Sequence, residues 1–122
     1  LLQERQSGQT MAVVSRQMRA VLERSGVGAF DAGVIAYEPV WAIGTGESAT
    51  ADQAESVHAG IRDFLAGYDG NISANIRILY GGSVNGANAK ALLAQENIDG
   101  ALVGGASLLA GEFVAICRAA AA

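Results

Sequence analysis

Residues 36–46 read Ala36-Tyr37-Glu38-Pro39-Val40-Trp41-Ala42-Ile43-Gly44-Thr45-Gly46. The residues leading into this stretch, Gly33 to Tyr37, form a short and almost wholly apolar run. Such a run fits a strand buried on both faces, as in a parallel sheet. Pro39 biases Glu38 toward extended backbone and marks the strand's end. A carboxylate therefore closes a buried strand, and a glycine-bearing loop with one large aromatic follows at once. A carboxylate in a site that excludes water is a stronger base than a hydrated one, and a loop that folds over it supplies the exclusion. Gly44 and Gly46 let the loop tip turn and present backbone N–H groups, while Pro39 stiffens the first hinge. Taken alone, a glutamate at a strand end is most often a solvated surface charge.

On the N-terminal side, Met11, Val14, Met18, Val21 and Leu22 recur at three- and four-residue spacing, the stripe of an amphipathic helix from about Thr10 to Glu23 that Gly26 stops. Downstream, Thr50 and Gln53 make a capping-box signature, and Ala54, Val57, Ile61, Phe64 and Leu65 line one face of the helix it starts. Ile76 to Leu79 reads as a second strand closed by Tyr80-Gly81-Gly82-Ser83, with a short helical stretch from about Asn85 to Ala94. Gly100 to Val103 gives a third strand, Gly104-Gly105 a third glycine turn, and Ser107 to Ala120 a last alanine-rich helix. Strands alternating with helices mean parallel pairing through helical crossovers. Either an open doubly wound sheet or a segment of a (β/α)8 barrel satisfies that order, and in both the ligand sits at the C-terminal ends of the strands. Three strands cannot close a barrel. A complete one takes roughly 250 residues, so 122 residues amount to about half, with open edges that invite association.

Composition narrows the classes of partner. A hydrophobic content of 51% is ample for a core, and 16 glycines against the single Pro39 point to several sharp turns or close backbone approaches. A net charge of −4 argues against nucleic acid. An anionic small molecule stays open if backbone N–H groups hold it. Cys117 has no partner for an internal disulfide, which suits a reducing compartment. No apolar run reaches the roughly 20 residues that cross a bilayer, and the opening residues are polar without a signal-peptide pattern. The expectation is a cytoplasmic protein without nucleic-acid or membrane partners.

The string from Ala36 to Gly46 resembles the lid segment of triosephosphate isomerases. The resemblance extends to Tyr80-Gly81-Gly82-Ser83-Val84-Asn85, to Asp99-Gly100-Ala101-Leu102-Val103-Gly104-Gly105-Ala106-Ser107-Leu108, and to the opening Glu4-Arg5-Gln6-Ser7-Gly8-Gln9-Thr10, in that family's order and spacing. It implies an α/β fold of the TIM-barrel type, here a partial barrel with three parallel strands at about residues 33–38, 76–80 and 100–103 and four main helices. It further implies that residues 1–122 are the C-terminal half of a single barrel domain with no internal boundary. The activity implied is interconversion of dihydroxyacetone phosphate and glyceraldehyde 3-phosphate without metal or organic cofactor. Glu38 would be the proton-transferring base, acting through an enediolate, a role that comes from the resemblance and not from spacing. Gly44, Ser83, Gly104 and Gly105 would surround the substrate phosphate, which fits the attraction of unpaired N–H groups at glycine turns for dianions. Pro39, Val40, Trp41, Ala42, Ile43, Thr45 and Gly46 would form the lid, with Ser48 and Ala49 as second hinge and the Tyr80 hydroxyl as latch. Glu47 stands where many relatives carry a basic residue.

Structural readings compete at several of these positions. Ser83 could cap the following helix, the paired glycines could be tight turns only, and Tyr80 and Trp41 could be packed aromatics. The family also uses a lysine near its first strand and a histidine after its fourth. The only lysine here is Lys90, among alanines, and the only histidine is His58, read as a helix residue near the core edge. Glu55 and Arg62 read as ordinary surface charge. The chain alone is therefore expected to lack turnover. Its expected partners are a triose phosphate and the missing N-terminal half, with a homodimer for the full-length enzyme. Two other readings are a structural half-barrel that self-associates, and a different phosphate-binding barrel enzyme, which the lid string disfavours.

Overall fold

The computed structural model describes residues 1–42 and 49–122. In chain order the elements are α1 (Leu2–Gln6), α2 (Thr10–Ser25), a 3-10 turn (Val27–Phe30), β1 (Val34–Tyr37), α3 (Ala51–Ala66), α4 (Gly70–Asn75), β2 (Arg77–Tyr80), α5 (Ala89–Leu93), β3 (Gly100–Ala101), a second 3-10 turn (Gly105–Leu108) and α6 (Ala110–Ala121). The three strands form one parallel sheet in the order β1-β2-β3. Tyr37 stands opposite Tyr80, and Tyr80 opposite Ala101, so the three strand ends align. The alternation of elements implied a parallel sheet with helical crossovers, and the three strands are consistent with part of a barrel.

β1 and β3 are shorter than the runs that announced them, and β2 is shifted by one residue. β1 stops at Tyr37 and leaves Glu38 just beyond it, β2 starts at Arg77, and β3 is two residues long. Six α-helices occur among the described residues instead of four, because α1 and α4 were not anticipated. The signal for α4 is Asp69, whose Oδ1 accepts from the N–H groups of Asn71 and Ile72, an N-cap of the ordinary kind. The expected helix over Asn85–Ala94 contracts to α5, since residues 85–88 spend their N–H groups on the side chains of Asn85, Asn88 and Glu112. Asn and Asp compete with helix in this way by offering the backbone local acceptors. The last helix starts at Ala110 and not Ser107, whose hydroxyl and N–H both turn back onto the carbonyl of Gly104.

α3 begins as its sequence indicated. Thr50 Oγ1 accepts from the N–H of Gln53, and Gln53 Oε1 accepts from the N–H of Thr50. Ala54, Val57, Ile61 and Leu65 on its inner face are buried, with Phe64 packed at the margin. They meet Ile76, Ile78 and Tyr80 from the sheet side and Leu92 and Ile98 beyond. Each fully buried aliphatic side chain contributes about 1.5–3 kcal/mol. α2 contributes Met18 and Leu22 and ends at Gly26, whose φ of 76° lies in the left-handed region that stops helices. Val21, expected on the buried stripe, is exposed. It lines a cleft of about 640 Å³ beside β1, together with Met18, Phe30, Ile35 and Trp41, on the open side of the sheet. No helix among the described residues is long and apolar enough to cross a membrane.

Candidate active site

Parallel strands deliver their following loops to one rim. Here that rim carries Glu38 after β1, Gly81-Gly82-Ser83 after β2 and Gly104-Gly105 after β3. The N–H of Gly81 donates to the carbonyl of Tyr37 (2.7 Å), and the N–H of Leu102 to the carbonyl of Tyr80 (2.9 Å), so the ladder runs up to the base of each loop. Glu38, Pro39, Ala42, Gly82, Ser83, Gly104 and Gly105 all border one hollow of about 940 Å³. Ser83, Gly104 and Gly105 border a second, of about 590 Å³, on the flank toward α6. Among the described residues, the backbone N–H groups of Gly82, Ser83, Gly104 and Gly105 meet no protein acceptor. Donors of this kind, gathered at glycine turns, can cradle an anion without a cationic side chain.

Glu38 is exposed, and its β-carbon lies 3.7 Å from where a side chain on Gly81 would begin. Pro39 and Trp41 are buried and Val40 is exposed. Trp41 Nε1 donates to the hydroxyl of Tyr37 (3.3 Å), and the guanidinium of Arg5 lies 5.5 Å from the centre of its ring. The Trp41 segment is thus held to the strand that carries Glu38. The Tyr80 ring packs in the core, and burial, reinforced by the neighbouring Tyr37, pushes its phenol above the usual range. A β-carbon on Gly82 would overlap the Tyr80 hydroxyl and come within 2.9 Å of Pro39 Cγ, so the corner needs glycine to lie this close to the strand.

Similarity to known proteins runs the length of the chain. The profile of the triosephosphate isomerase family matches residues 1–120. This chain belongs to the triosephosphate isomerase family. It is 58% identical over 120 residues to the triosephosphate isomerase of Thiobacillus denitrificans, which covers 98% of this chain and 48% of that protein. It is 56% identical over 119 residues to that of Alcanivorax borkumensis, again 98% of this chain and 48% of the relative. For Pseudomonas putida the figures are 57% over 119 residues, 98% and 47%. The chain spans about half the length of the curated relatives it matches.

Of the residues expected at a family site, Glu38, Ser83, Gly104 and Gly105 come together on one hollow, and Pro39, Ala42, Ala49 and Tyr80 stand at its edge. Gly44, Ile43, Thr45, Gly46, Glu47 and Ser48 lie outside the described residues. Ser83 caps no helix, because α5 starts at Ala89 behind Asn88. His58 is not at the core edge. It is fully buried, with ring centroids 5.8 Å from Tyr37 and 6.3 Å from Tyr80. Its Nδ1 lies 3.2 Å from the carbonyl of Asn97, which makes Nδ1 the protonated nitrogen. Nε2 is buried without a partner among the described residues, and burial holds the imidazole below its ordinary pKa. Lys90 is exposed on α5. Neither residue borders the hollow.

Sequence reasoning missed two supports of this rim. The Tyr37 hydroxyl that accepts from Trp41 sits four residues before it, a spacing legible once Trp41 is placed in a turn. Glu112, whose carboxylate accepts from Gly86, lies 26 residues from its partner and gives no local signal.

Proposed function

We propose that this chain is the C-terminal half of a triosephosphate isomerase, residues 1–122 forming half of one barrel domain. Completed to a full barrel, it interconverts dihydroxyacetone phosphate and glyceraldehyde 3-phosphate. The observation that carries this reading is that Glu38 and the donor-bearing corners at Ser83 and at Gly104-Gly105 border a single hollow. A sugar phosphate anchored by its dianion at the corners presents its carbonyl-adjacent C–H to the carboxylate. Glu38 takes that proton and returns it to the neighbouring carbon. The chemistry is proton transfer alone and, by the family resemblance, uses neither metal nor organic cofactor. By the family resemblance the segment after Glu38 serves as a lid, and a lid that excludes water from Glu38 would strengthen it as a base. The Tyr80 hydroxyl holds the closed position.

Among the described residues neither the histidine nor the lysine can polarise the carbonyl, since His58 is sealed in the core and Lys90 is exposed on α5 and does not border the hollow. Loss of such an electrophile removes about 10²–10³-fold in rate by itself. Isomerisation should therefore appear on mixing this chain with a matching N-terminal half and be negligible without it. Glu38→Gln in the mixture should lower turnover about 10²–10⁴-fold, the range for a general base. Full activity from 122 residues alone would overturn the half-barrel reading, and undiminished activity of the Gln variant would overturn the role of Glu38. The full-length enzyme is expected to be a cytoplasmic homodimer.

The open side of β1 supports a second reading, a structural half-barrel covered by another copy of itself. Val34 is exposed on that strand, and the cleft beside it is lined largely by apolar side chains. Exposed apolar strands at a free edge favour association. Light scattering separates the two, since a monomer that dimerises only with the N-terminal half supports the isomerase reading.

A further inference from the structure

We infer that Glu112 is a positioning residue that fixes the Ser83 corner against the Gly104-Gly105 corner and so sets the span of the phosphate cradle. This rests on the phosphate-binding reading of those corners. The turn between Ser83 and Asn88 is almost self-contained. The side-chain amide of Asn88 donates to the carbonyl of Ser83 (2.9 Å), and its Oδ1 accepts from the N–H of Asn85 (2.8 Å). Asn85 Oδ1 accepts from the N–H groups of Ala87 (2.9 Å) and Asn88 (3.0 Å). Of the four N–H groups from Asn85 to Asn88, the one the turn does not satisfy itself is that of Gly86, and it is taken from outside by Glu112 Oε2 at 2.7 Å.

Glu112 lies in the first turn of α6, the helix that leaves the Gly104-Gly105 corner. Among the described residues its bond to Gly86 is the one hydrogen bond between segments 82–88 and 104–112. The fit is close, since a β-carbon on Gly86 would lie 3.1 Å from Ala115 Cβ and 3.2 Å from Glu112 Oε2. A charged acceptor on a backbone N–H makes a short, strong bond. Glu112 also borders the smaller hollow beside Ser83 and Gly104. A carboxylate there repels a dianion, so direct ligation cannot be its part, and what it supplies is the spacing of the donors.

Reach and charge make opposite predictions, which the covalently joined full barrel can separate with inorganic phosphate as a competitive inhibitor. Glu112→Asp keeps the charge but is one methylene short of Gly86. It should weaken phosphate inhibition between about tenfold and about a hundredfold, the penalty of misplaced groups. Glu112→Gln keeps an acceptor at full length and loses the repulsion, so phosphate should bind as well as to the wild type or more tightly. Equal phosphate affinity in wild type and Glu112→Asp overturns the inference, and so does a loss in Glu112→Gln as large as in Glu112→Asp. Should the Asp variant not fold, Glu112→Ala takes its place, with the same expected loss, and phosphate affinity equal to the wild type there overturns the inference. A wild-type barrel with neither isomerase activity nor phosphate inhibition would instead sink the proposed function, leaving the two failures distinct.

Discussion

The two ends of the three-stranded sheet are built on opposite principles. At the end where the strands begin, polar groups are saturated. Arg62 donates through Nε to Asn97 Oδ1 (3.0 Å), through Nη1 to the carbonyls of Ser73 (2.6 Å) and Ile76 (3.2 Å), and through Nη2 to Asp99 Oδ2 (2.8 Å). Asp99 Oδ2 also accepts from the N–H of Ile78, and Glu55 grips both the N–H and the amide of Asn97. At the other end Glu38 is exposed, and the glycine corners leave N–H groups without protein acceptors among the described residues. A polar network in a poorly solvated place is stabilising only when complete, whereas a binding site has to keep donors uncommitted for its ligand. On the proposed function, stability is invested at one rim and recognition at the other, the division expected of parallel α/β sheets.

The largest effect on this contrast should come from Arg62→Met, which takes the guanidinium from four acceptors, of which Asp99 Oδ2 keeps the N–H of Ile78, while filling much of the same volume. Removing one partner of a buried ionic network costs about 3–5 kcal/mol. The Arg62 side chain keeps 19% of its surface exposed, which places the expected loss at the lower end, about 3 kcal/mol. Denaturant unfolding of the full barrel measures it. A loss below about 1 kcal/mol would put this ion pair in the ordinary surface class and erase the contrast.

Gly82→Ala tests the other rim and should be next in size. The new methyl would meet the Tyr80 hydroxyl and Pro39 Cγ, both buried and neither on a flexible chain end, so the backbone of the corner must move. Overpacking of this kind costs about 1–3 kcal/mol. The shift carries the Ser83 N–H with it, so inhibition by inorganic phosphate should weaken together with stability. Loss of stability with phosphate affinity intact would show that the corner is a packing device and not part of a cradle.

These two ends were not equally legible. The proposed recognition rim is local in the chain, because the strands run directly into their turns. Glu38, Ser83 and Gly104-Gly105 could accordingly be picked out from a handful of consecutive residues each, and the parallel sheet followed from the alternation of elements. The stabilising rim is non-local. Arg62 meets Asn97 and Asp99 across 35 and 37 residues, and Glu55 meets Asn97 across 42, so on a helical wheel both charges pass for solvated surface. His58 was misplaced for the same reason. Its helix face was readable, but the two tyrosines that enclose it come from neighbouring strands. β3 is shorter than its apolar run because Leu102 and Val103 stay apolar beyond the last paired residue, and the contracted α5 reflects side-chain acceptors that compete with the helix at Asn85 and Asn88.

The smallest expected effect lies between the two rims, at His58, and its sign follows from which nitrogen is stranded. Nδ1 donates to the Asn97 carbonyl, so a second proton has to enter at Nε2, where no acceptor stands among the described residues. Burial lowers the pKa of the folded imidazole below 6.5. Asn97, Glu55 and Asp99 pull it back in part, and Arg62 pushes it down again. The unfolded chain binds that proton first as the pH falls, and stability declines wherever the unfolded state holds more protons. The contribution is complete above pH 6.5 and is lost as the pH falls from there toward the folded pKa, with a slope bounded at about 1.4 kcal/mol per pH unit for one proton. His58→Phe keeps a ring between Tyr37 and Tyr80 but cannot titrate, and it forfeits the bond to Asn97. It should be the less stable protein at pH 8 and yet show a flatter dependence between pH 7 and pH 5.5, before most carboxylates titrate. Denaturant midpoints at those three pH values decide the matter. Identical slopes in the two proteins would mean that the imidazole finds water or an acceptor on protonation, and that the core between the rims is less dry than its packing indicates.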